Sequence, residues 1–535
     1  MERTLGERAL LSVQNTAGRW NVRVTRAMRL ADSMQYPIAL TVFRLAMFWK
    51  RSGSSFRILL KNYMHISLSL VLAVSLVLGG CAIHRVKESS ATPAVEIGGS
   101  YGEAASHSEI DGNWDRSWWE SFEDPTLSAL IEEGLKSNFS LQQFAARIEQ
   151  ASALARQAGS QLYPTLDLDG GYDLDWDGRT VAPDTEDRKE SSDLGFLLRW
   201  EMNLWGRLSS ARKARQFQLE ASAQDWLDAR LLPSSAIAER YFEIKERRRQ
   251  LEVIQEQLDI NVSLLKLTTL RFGQGQSSIV AVLQQREQLD GTKARVPDVE
   301  ARIGQIEYAL DALLGKAPGA DPSVLNADLA VLPPLPDIGI PASLLQRRPD
   351  LRAARQRVIA LDYRVGEAVA DQLPTLRIGA GLDWRGDPSF GDEIKSAFAG
   401  LAAPLFAAGE RRAGVRLRKA ELEAALAGYS DRFLSAWVEV ESALLLERKR
   451  QEQLILVEQQ LATAQRLLTE ARNRFSQGLT DYLPVFTSLN IVQNLERDIV
   501  SSRRGVLSAR VALHRALGGP ILNPDIPGLV SSLNE

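Results

Sequence analysis

The sequence is poor in the residues that build covalent and metal sites. Its 535 residues include one cysteine and four histidines. A single cysteine excludes a disulfide within the chain, and the histidines are too scattered to suggest a zinc site: His65, His84, His107 and His514. A phosphate-binding loop ending in Lys-Ser/Thr and a Gly-x-Ser-x-Gly elbow are also missing. We therefore expect no enzyme activity, no cofactor and no bound metal.

A hydrophobic run long enough for a transmembrane helix is missing as well. The apolar stretch 66–78 is shorter than the ~20 residues of a span, but it suits a signal-peptide core of about 7–15 residues. Basic residues precede it, and Leu78-Gly79-Gly80-Cys81 ends it. This ending resembles the lipobox of bacterial lipoproteins, in which the chain is cut before a lipidated cysteine. A buried cysteine in an apolar helix is the alternative. We expect lipidation of Cys81, and Ala82 after it fits sorting to the outer membrane.

Charge is distributed unevenly along the chain. Residues 1–80 contain 11 Lys/Arg and 3 Asp/Glu, whereas the whole chain has a formal net charge of −3. The chain from Cys81 onward therefore carries a net charge of −11. An acidic mature chain argues against nucleic acid as a partner.

The two halves of the chain repeat each other. One set of residues recurs at an offset of 210: Leu141, Arg147, Ile148, Pro164, Thr165 and Leu166 match Leu351, Arg357, Val358, Pro374, Thr375 and Leu376. Further on, Arg271-Phe272-x-Gln274-Gly275 matches Arg474-Phe475-x-Gln477-Gly478 at an offset of 203. The difference of seven residues is expected in the polar stretch 177–192, because surface loops change length at little cost. Two units indicate a duplication rather than a repeat array.

Each half contains two segments in which apolar and polar residues alternate. They cover 166–177, 193–202, 376–385 and, more weakly, 396–405. The first has an apolar face ending in aromatics and a face of aspartates, which favours membrane β-strands over solvated hairpins on a soluble core. Four strands cannot close a barrel, and open edges do not occur in hydrocarbon. Three copies sharing one barrel would supply twelve strands.

Very long helical stretches separate these strands. The first runs over 209–271, interrupted only by Pro233, and returns over 278–314; the second runs over 414–474 and returns to residue 517. At ~1.5 Å per residue, each long arm reaches roughly 95 Å. Arms of this length indicate coiled-coil packing. The predicted fold class is an α+β membrane protein with a long antiparallel helical coiled-coil barrel and a β-barrel shared by a trimer.

The predicted organisation has five parts. They are an upstream segment and signal peptide (1–80), a lipidated extended tether (81–112), a first repeat (113–330), a second repeat (331–520) and a tail (521–535). Helices are expected at 125–138 and 140–161, where apolar residues are spaced by three and four.

Several motifs together resemble the outer-membrane factor family of tripartite efflux systems, the TolC/OprM-type channels, and within it the NodT-like lipoproteins. The resemblance covers essentially all of the mature chain. Besides the lipobox, its motifs are Trp118-Trp119-x-x-Phe122-x-Asp124-Pro125-x-Leu127, Leu162-Tyr163-Pro164-Thr165-Leu166, Trp200-Glu201-Met202-Asn203-Leu204-Trp205-Gly206-Arg207, the two Arg-Phe-x-x-Gly tips, and Leu344-Leu345-x-Arg347-Arg348-Pro349-Asp350.

The resemblance implies a homotrimer in the outer membrane of a Gram-negative bacterium, lipid-anchored, with a helical tunnel reaching through the periplasm. It implies contact with outer-membrane lipid and two protein partners: a periplasmic adaptor and an inner-membrane pump of the proton-driven resistance-nodulation-division type. The adaptor would dock at the helix tips, which here comprise Arg271, Phe272, Gly275, Ser278, Arg474, Phe475, Gly478 and Tyr482. The function implied is an exit channel for drugs, metals or other small molecules.

The chain departs from the family at the periplasmic aperture. Thr487 and Asn490 stand where well-known members carry an aspartate and an arginine, and Ala281 replaces a common aspartate in the first repeat. Our hypothesis is that an apolar ring at Leu483 closes the aperture instead. Two alternatives remain open: a type I protein-secretion channel of the same fold, or a periplasmic coiled-coil adaptor. The second would need a lipoyl-like β domain between the hairpin arms.

Overall fold

The computed structural model describes residues 84–86, 91–102, 117–176, 188–319, 328–386 and 391–520. They all belong to one compact unit, Gly80–Glu535. Cys81 and the signal segment lie outside the described residues, so lipidation stays a prediction. Among the described helices, none has both the length and the hydrophobicity needed to cross a membrane. The described residues also contain no cluster of three or more potential metal ligands.

Eight α-helices and four β-strands make up the described fold. In chain order they are α1 (Pro125–Ser137), α2 (Phe139–Ser160), β1 (Thr165–Trp176), β2 (Arg188–Met202), α3 (Arg207–Gly273), α4 (Ile279–Leu313), α5 (Leu344–Arg347), α6 (Pro349–Ala370), β3 (Thr375–Gly386), β4 (Asp392–Ala402), α7 (Glu410–Ser476) and α8 (Leu483–Ala516). Short 3₁₀ turns cover Trp118–Phe122 and Pro341–Ser343. The second half thus repeats the order of the first: helix, two strands and a long helical hairpin.

The long arms α3 and α7 each contain 67 residues. They begin slightly before the predicted bounds, directly after Gly206 (φ 78°) and Gly409 (φ 88°). A left-handed backbone favours glycine, which explains a glycine at both starts. Pro233 was predicted to interrupt the first arm, but α3 continues through it. Pro233 is buried, and packing of the surrounding turns offsets the hydrogen bond that proline removes.

The four strands form one antiparallel sheet in the order β1-β2-β3-β4. Each half contributes a hairpin, and the pairing of β2 with β3, for example Leu198 with Ala380, joins the halves. The predicted bounds of the fourth strand were wrong by four residues at its start. Ala402 pairs with Thr375 at the end of the ladder, and Pro404 follows, which lacks the N–H that further pairing needs.

The motif at the start of the first repeat anchors α1 to the long arm α3. Asp124 caps α1 by accepting from the backbone N–H groups of Thr126 and Leu127. Its second oxygen accepts from the Tyr241 hydroxyl at 2.6 Å and the Lys245 ammonium at 3.1 Å. Burial tends to raise the pKa of Asp124, but these hydrogen bonds bring it below its usual value. One carboxylate therefore holds two helices together.

In its described residues, 84–86 and 91–102, the segment predicted as an extended tether has no helix or strand, yet it packs against the body of the protein. Tyr101 and Ala91 are buried in a core cluster with residues of α6 and α7. The Gly102 N–H donates to Glu441, and the Ala94 N–H donates to Ser430. Over 91–102, the tether is thus a strap held by side chains of α7.

Candidate functional site

The two helix tips share one turn geometry. Gly275 and Gly478 have φ values of +72° and +71°. At the first tip, the Gly275 N–H donates to Phe272 O and the Gln276 N–H donates to Arg271 O. The second tip repeats both bonds from Gly478 and Leu479. This pair of bonds satisfies the last carbonyls of a helix and requires a left-handed residue, which explains the glycine in both tip motifs.

The predicted tip residues divide into an exposed group and a buried group. Exposed residues are Phe272, Gly275, Ser278, Arg474 and Gly478. Ser278 caps α4 by accepting from the Ala281 N–H. Phe475 and Tyr482 are buried in a cluster between the two hairpins. Their side chains therefore support the tips from inside the described chain, whereas a partner could reach the predicted residues of the exposed group.

Arg271 joins the two tips. Its guanidinium donates to Phe475 O at 2.9 Å and to Ser476 O at 3.1 Å, and it lies 4.5 Å from the centre of the Phe475 ring. A cation at the carbonyl end of a helix is stabilised by the helix dipole, and a cation over a ring gains further attraction. We call this contact the Arg271 clamp.

A buried layer of amides and hydroxyls connects the hairpin α3–α4 to α8 just above the tips. The Tyr482 hydroxyl donates to Gln285 Oε1, and Gln285 Nε2 donates to the Asn261 carbonyl at 3.1 Å. Asn261 also accepts from Gln493 Nε2 at 3.2 Å and donates to Thr292 at 3.0 Å. Burial raises the pKa of Tyr482 to about 12, so its hydroxyl keeps the proton it donates. Sequence reasoning missed this layer, although amides at core-facing helical positions could have indicated it.

The predicted aperture residues lie on the first turns of α8. Leu483 is the first residue of α8, and its side chain is half exposed. Thr487 donates to Leu483 O at 3.0 Å, and Asn490 donates to Phe486 O at 3.1 Å. Both polar side chains therefore bond to their own helix. Neither carries a charge that could replace the charged pair expected from the family.

The Arg-Arg-Pro-Asp motif lies where several elements meet. Arg347 contacts Asp337 at 2.8 Å. Arg348 contacts Asp350 at 2.9 Å, Glu439 at 2.6 Å and the Ala516 carbonyl at 2.9 Å. The motif thus ties the linker before α5 to α7 and the end of α8. This arrangement gives the motif a structural role in holding these elements together.

Arg510 and Glu447 form a buried ion pair beside the linker. Arg510 Nε lies 2.9 Å from Glu447 Oε2, and both side chains are almost wholly buried. Arg510 also donates to the carbonyls of Pro333 and Pro334. The chain segment between the repeats is therefore fastened to α7 and α8 by one guanidinium.

The two faces of the sheet differ in character. Leu166, Leu168 and Tyr172 are each more than half exposed on one face of β1. The opposite face carries the aspartates of β1, and arginines lie among its carboxylates: Arg199 of β2 lies 3.2 Å from Asp167, and Arg377 of β3 lies 3.6 Å from Glu201 of β2. The acidic ladder predicted from β1 alone is therefore a mixed-charge face in the sheet.

Known proteins resemble this chain in sequence and in fold. A model of the family described as outer membrane efflux protein matches residues 130–316 and 340–519. The chain is 30% identical over 421 residues to the pyoverdine export outer membrane protein OpmQ of Pseudomonas putida, covering 76% of this chain and 88% of that protein. It is 25% identical over 425 residues to the probable outer membrane lipoprotein SilC of Salmonella typhimurium, covering 77% and 89%.

Among solved structures, the outer-membrane channel OprN superposes with a TM-score of 0.74 at 25% identity, covering 82% of this chain and 99% of that one. A CusC structure superposes with a TM-score of 0.72 at 22% identity, covering 80% and 98%. The family model matches most of both repeats. The chain belongs to the outer membrane efflux protein family.

Proposed function

We propose that this protein is the outer-membrane exit channel of a tripartite efflux system. The observation that supports this proposal most directly is a four-stranded sheet with an exposed apolar face, attached to two helical hairpins. The longer arm of each hairpin contains 67 residues. Such a sheet fits a lipid boundary, and arms of ~100 Å at ~1.5 Å per residue fit a tunnel across the periplasm. Related proteins are named for the export of pyoverdine and of cations. For this chain we propose small molecules or ions as cargo.

The channel is a homotrimer in this proposal. Strands β1 and β4 are the two edges of the sheet, and within the described part of the chain each pairs on one side only. Unpaired edges are not tolerated in hydrocarbon, so β4 of one copy would pair with β1 of the next. Three copies would close a barrel of twelve strands. Residues 113–330 and 331–520 act as the two repeats of each copy, with a tail at 521–535.

The partners and the anchor complete the proposal. The exposed tip residues Phe272, Gly275, Ser278, Arg474 and Gly478 would receive a periplasmic adaptor, which links the channel to an inner-membrane pump. The pump supplies energy and selects cargo. Lipidation at Cys81 would hold the first mature residue at the outer membrane. His84, three residues after Cys81, contacts Asp362 at 2.6 Å, and this contact would fix the anchor close to α6.

Planar-bilayer recording tests the channel. Purified protein from a membrane fraction should produce discrete single-channel steps, whereas a periplasmic adaptor would leave the bilayer silent. Absence of steps from a confirmed trimer would contradict the proposed channel.

Opening of the periplasmic aperture should respond to Leu483. We expect Leu483→Gly to raise single-channel conductance several-fold, because it removes half-exposed apolar side chains from the first turns of α8, where Thr487 and Asn490 supply no charge. Leu479→Gly, an exposed apolar residue of the same turn, serves as the control and should change conductance little. Unchanged conductance in Leu483→Gly would show that the apolar ring is not the constriction.

The aspartates of β1 should give the channel weak cation selectivity, since carboxylates facing a lumen raise the local cation concentration. In a KCl gradient, the reversal potential should have the sign expected for a cation-selective channel. Joint replacement of Asp169 and Asp173 by asparagine should move it toward zero. An anion-selective reversal potential in the unmodified protein would place these residues away from the lumen.

A further inference from the structure

Because the two halves of the chain repeat each other, each residue of the Arg271 clamp has a counterpart in the other hairpin, and these counterparts could form a second contact of the same kind. At the offset of 203, the partner of Arg271 is Arg474, and the partner of Leu264 is Leu467. Arg271 and Leu264 of the first hairpin pack against the second hairpin. Their counterparts face outward: Leu467 is 54% exposed, and Arg474 pairs with Glu470 one turn back on its own helix. One flank of the second hairpin therefore presents an unused copy of the clamp.

The first hairpin presents the complementary surface. Phe475 and Tyr482 receive the clamp within the chain and are buried. Their counterparts at the same offset are Phe272 and Ile279, which are 44% and 48% exposed. The outer flank of the first hairpin therefore resembles the receiving surface, with an exposed ring and the carbonyl end of α3. A chain that contains both halves of one contact, on opposite flanks, can form a ring with copies of itself.

We infer that Arg474 of one copy clamps the first tip of the neighbouring copy. Its guanidinium donates to the carbonyls of Phe272 and Gly273 of the neighbouring copy and lies over that Phe272 ring, as Arg271 does over Phe475 within the chain. Leu467 packs beside it, because residues seven apart lie on one face of a helix. The occupant of this flank is thus a second copy of the chain. The contact with Glu470 is an exposed ion pair, so exchanging it for the clamp costs little.

This inference rests on the proposed trimer and adds the contact that closes its periplasmic end before an adaptor docks; an adaptor bound at Phe272 and Arg474 would take the place of this clamp. The clamps within and between chains would alternate around a ring of six hairpin tips. Both involve a guanidinium at helix-end carbonyls, and neither needs the aspartate–arginine pair that is missing at Thr487 and Asn490. Closure of the aperture would then depend on the arginines of the two tip motifs.

A photoreactive benzophenone amino acid in place of Arg474 tests the contact in the full-length, detergent-extracted protein. Illumination should give SDS-stable dimers in which position 474 is joined to a peptide of the neighbouring first tip, 271–283. The same probe at position 472, an exposed arginine on the same helix, is the control and should give few dimers. Native mass spectrometry of each sample establishes the oligomeric state first.

Conductance provides a second readout. Arg474→Leu should raise single-channel conductance at least two-fold, as should Arg271→Leu, while Arg472→Leu should leave it unchanged. A trimer that cross-links at 472 as readily as at 474, or an Arg474→Leu channel with unaltered conductance, would overturn the clamp between copies while leaving the trimer intact. A monomer in every sample would instead refute the proposed function on which the clamp rests.

Discussion

Arg510→Met should destabilise the folded protein by about 3–5 kcal/mol, because it leaves the Glu447 carboxylate buried without its partner. The carbonyls of Pro333 and Pro334 would lose their donor as well. Since the linker between the repeats is fastened by these bonds, we also expect release of the linker and slower trimer assembly. The loss of stability can be measured in detergent by following the helical circular dichroism signal during heating.

Two further variants test whether the buried unpaired charge causes the destabilisation expected of Arg510→Met. Arg503→Met, on the same helix as Arg510, removes an exposed pair with Glu458 of α7 and should cost at most about 1 kcal/mol. The double variant Arg510→Met with Glu447→Leu removes both buried charges and should recover much of the lost stability. If the double variant is less stable than Arg510→Met alone, the buried unpaired carboxylate is not the cause of the damage.

His514 should make the protein sensitive to mild acid. It is buried against the rings of Trp118 and Phe122, and its Nε2 has no hydrogen-bond partner among the described residues. Burial, followed by the nearby charge of Arg510, lowers the pKa of His514 to about 3, whereas an unfolded histidine has a pKa of about 6.5. Below pH 6.5 the unfolded chain therefore binds a proton that the folded chain does not.

The sign of this linkage predicts full stability above pH 6.5 and progressive loss as the pH falls toward about 3. At about 1.4 kcal/mol per pH unit, the loss reaches about 3 kcal/mol between pH 6.5 and 4.5. Replacing the ring in His514→Leu should remove this part of the acid response. The observable is the difference in unfolding midpoint between pH 7 and pH 4.5, and an identical difference in both proteins would assign the acid response to other groups.

Much of the fold could be predicted because its signals are local. Period-2 alternation placed β1 within one residue of its observed bounds, and long stretches with little proline or glycine predicted α3 and α7. Errors arose where non-local packing decides the outcome. Pro233 does not interrupt α3, because buried packing outweighs its local cost. The strap over 91–102 has no periodicity, and only its contacts with α6 and α7 define its path.

The predictability of the candidate site follows the same distinction between local signals and non-local packing. A tight turn with a positive φ favours glycine, so the tip motifs alone placed Gly275 and Gly478 correctly in the turns. The Arg271 clamp and the Asn261 layer join residues more than 200 positions apart. Such pairings depend on how hairpins pack together. For the same reason, the burial of Phe475 and Tyr482 could not be foreseen from their place in the tip motifs.

Three chains sharing one barrel are the central requirement of the proposed exit channel. Native mass spectrometry of the protein extracted from a membrane fraction measures this, together with the mass of each released subunit. We expect a trimer whose subunits begin at a lipid-modified Cys81. A soluble monomer with an unmodified cysteine would contradict the shared barrel, the anchor and the exit channel together.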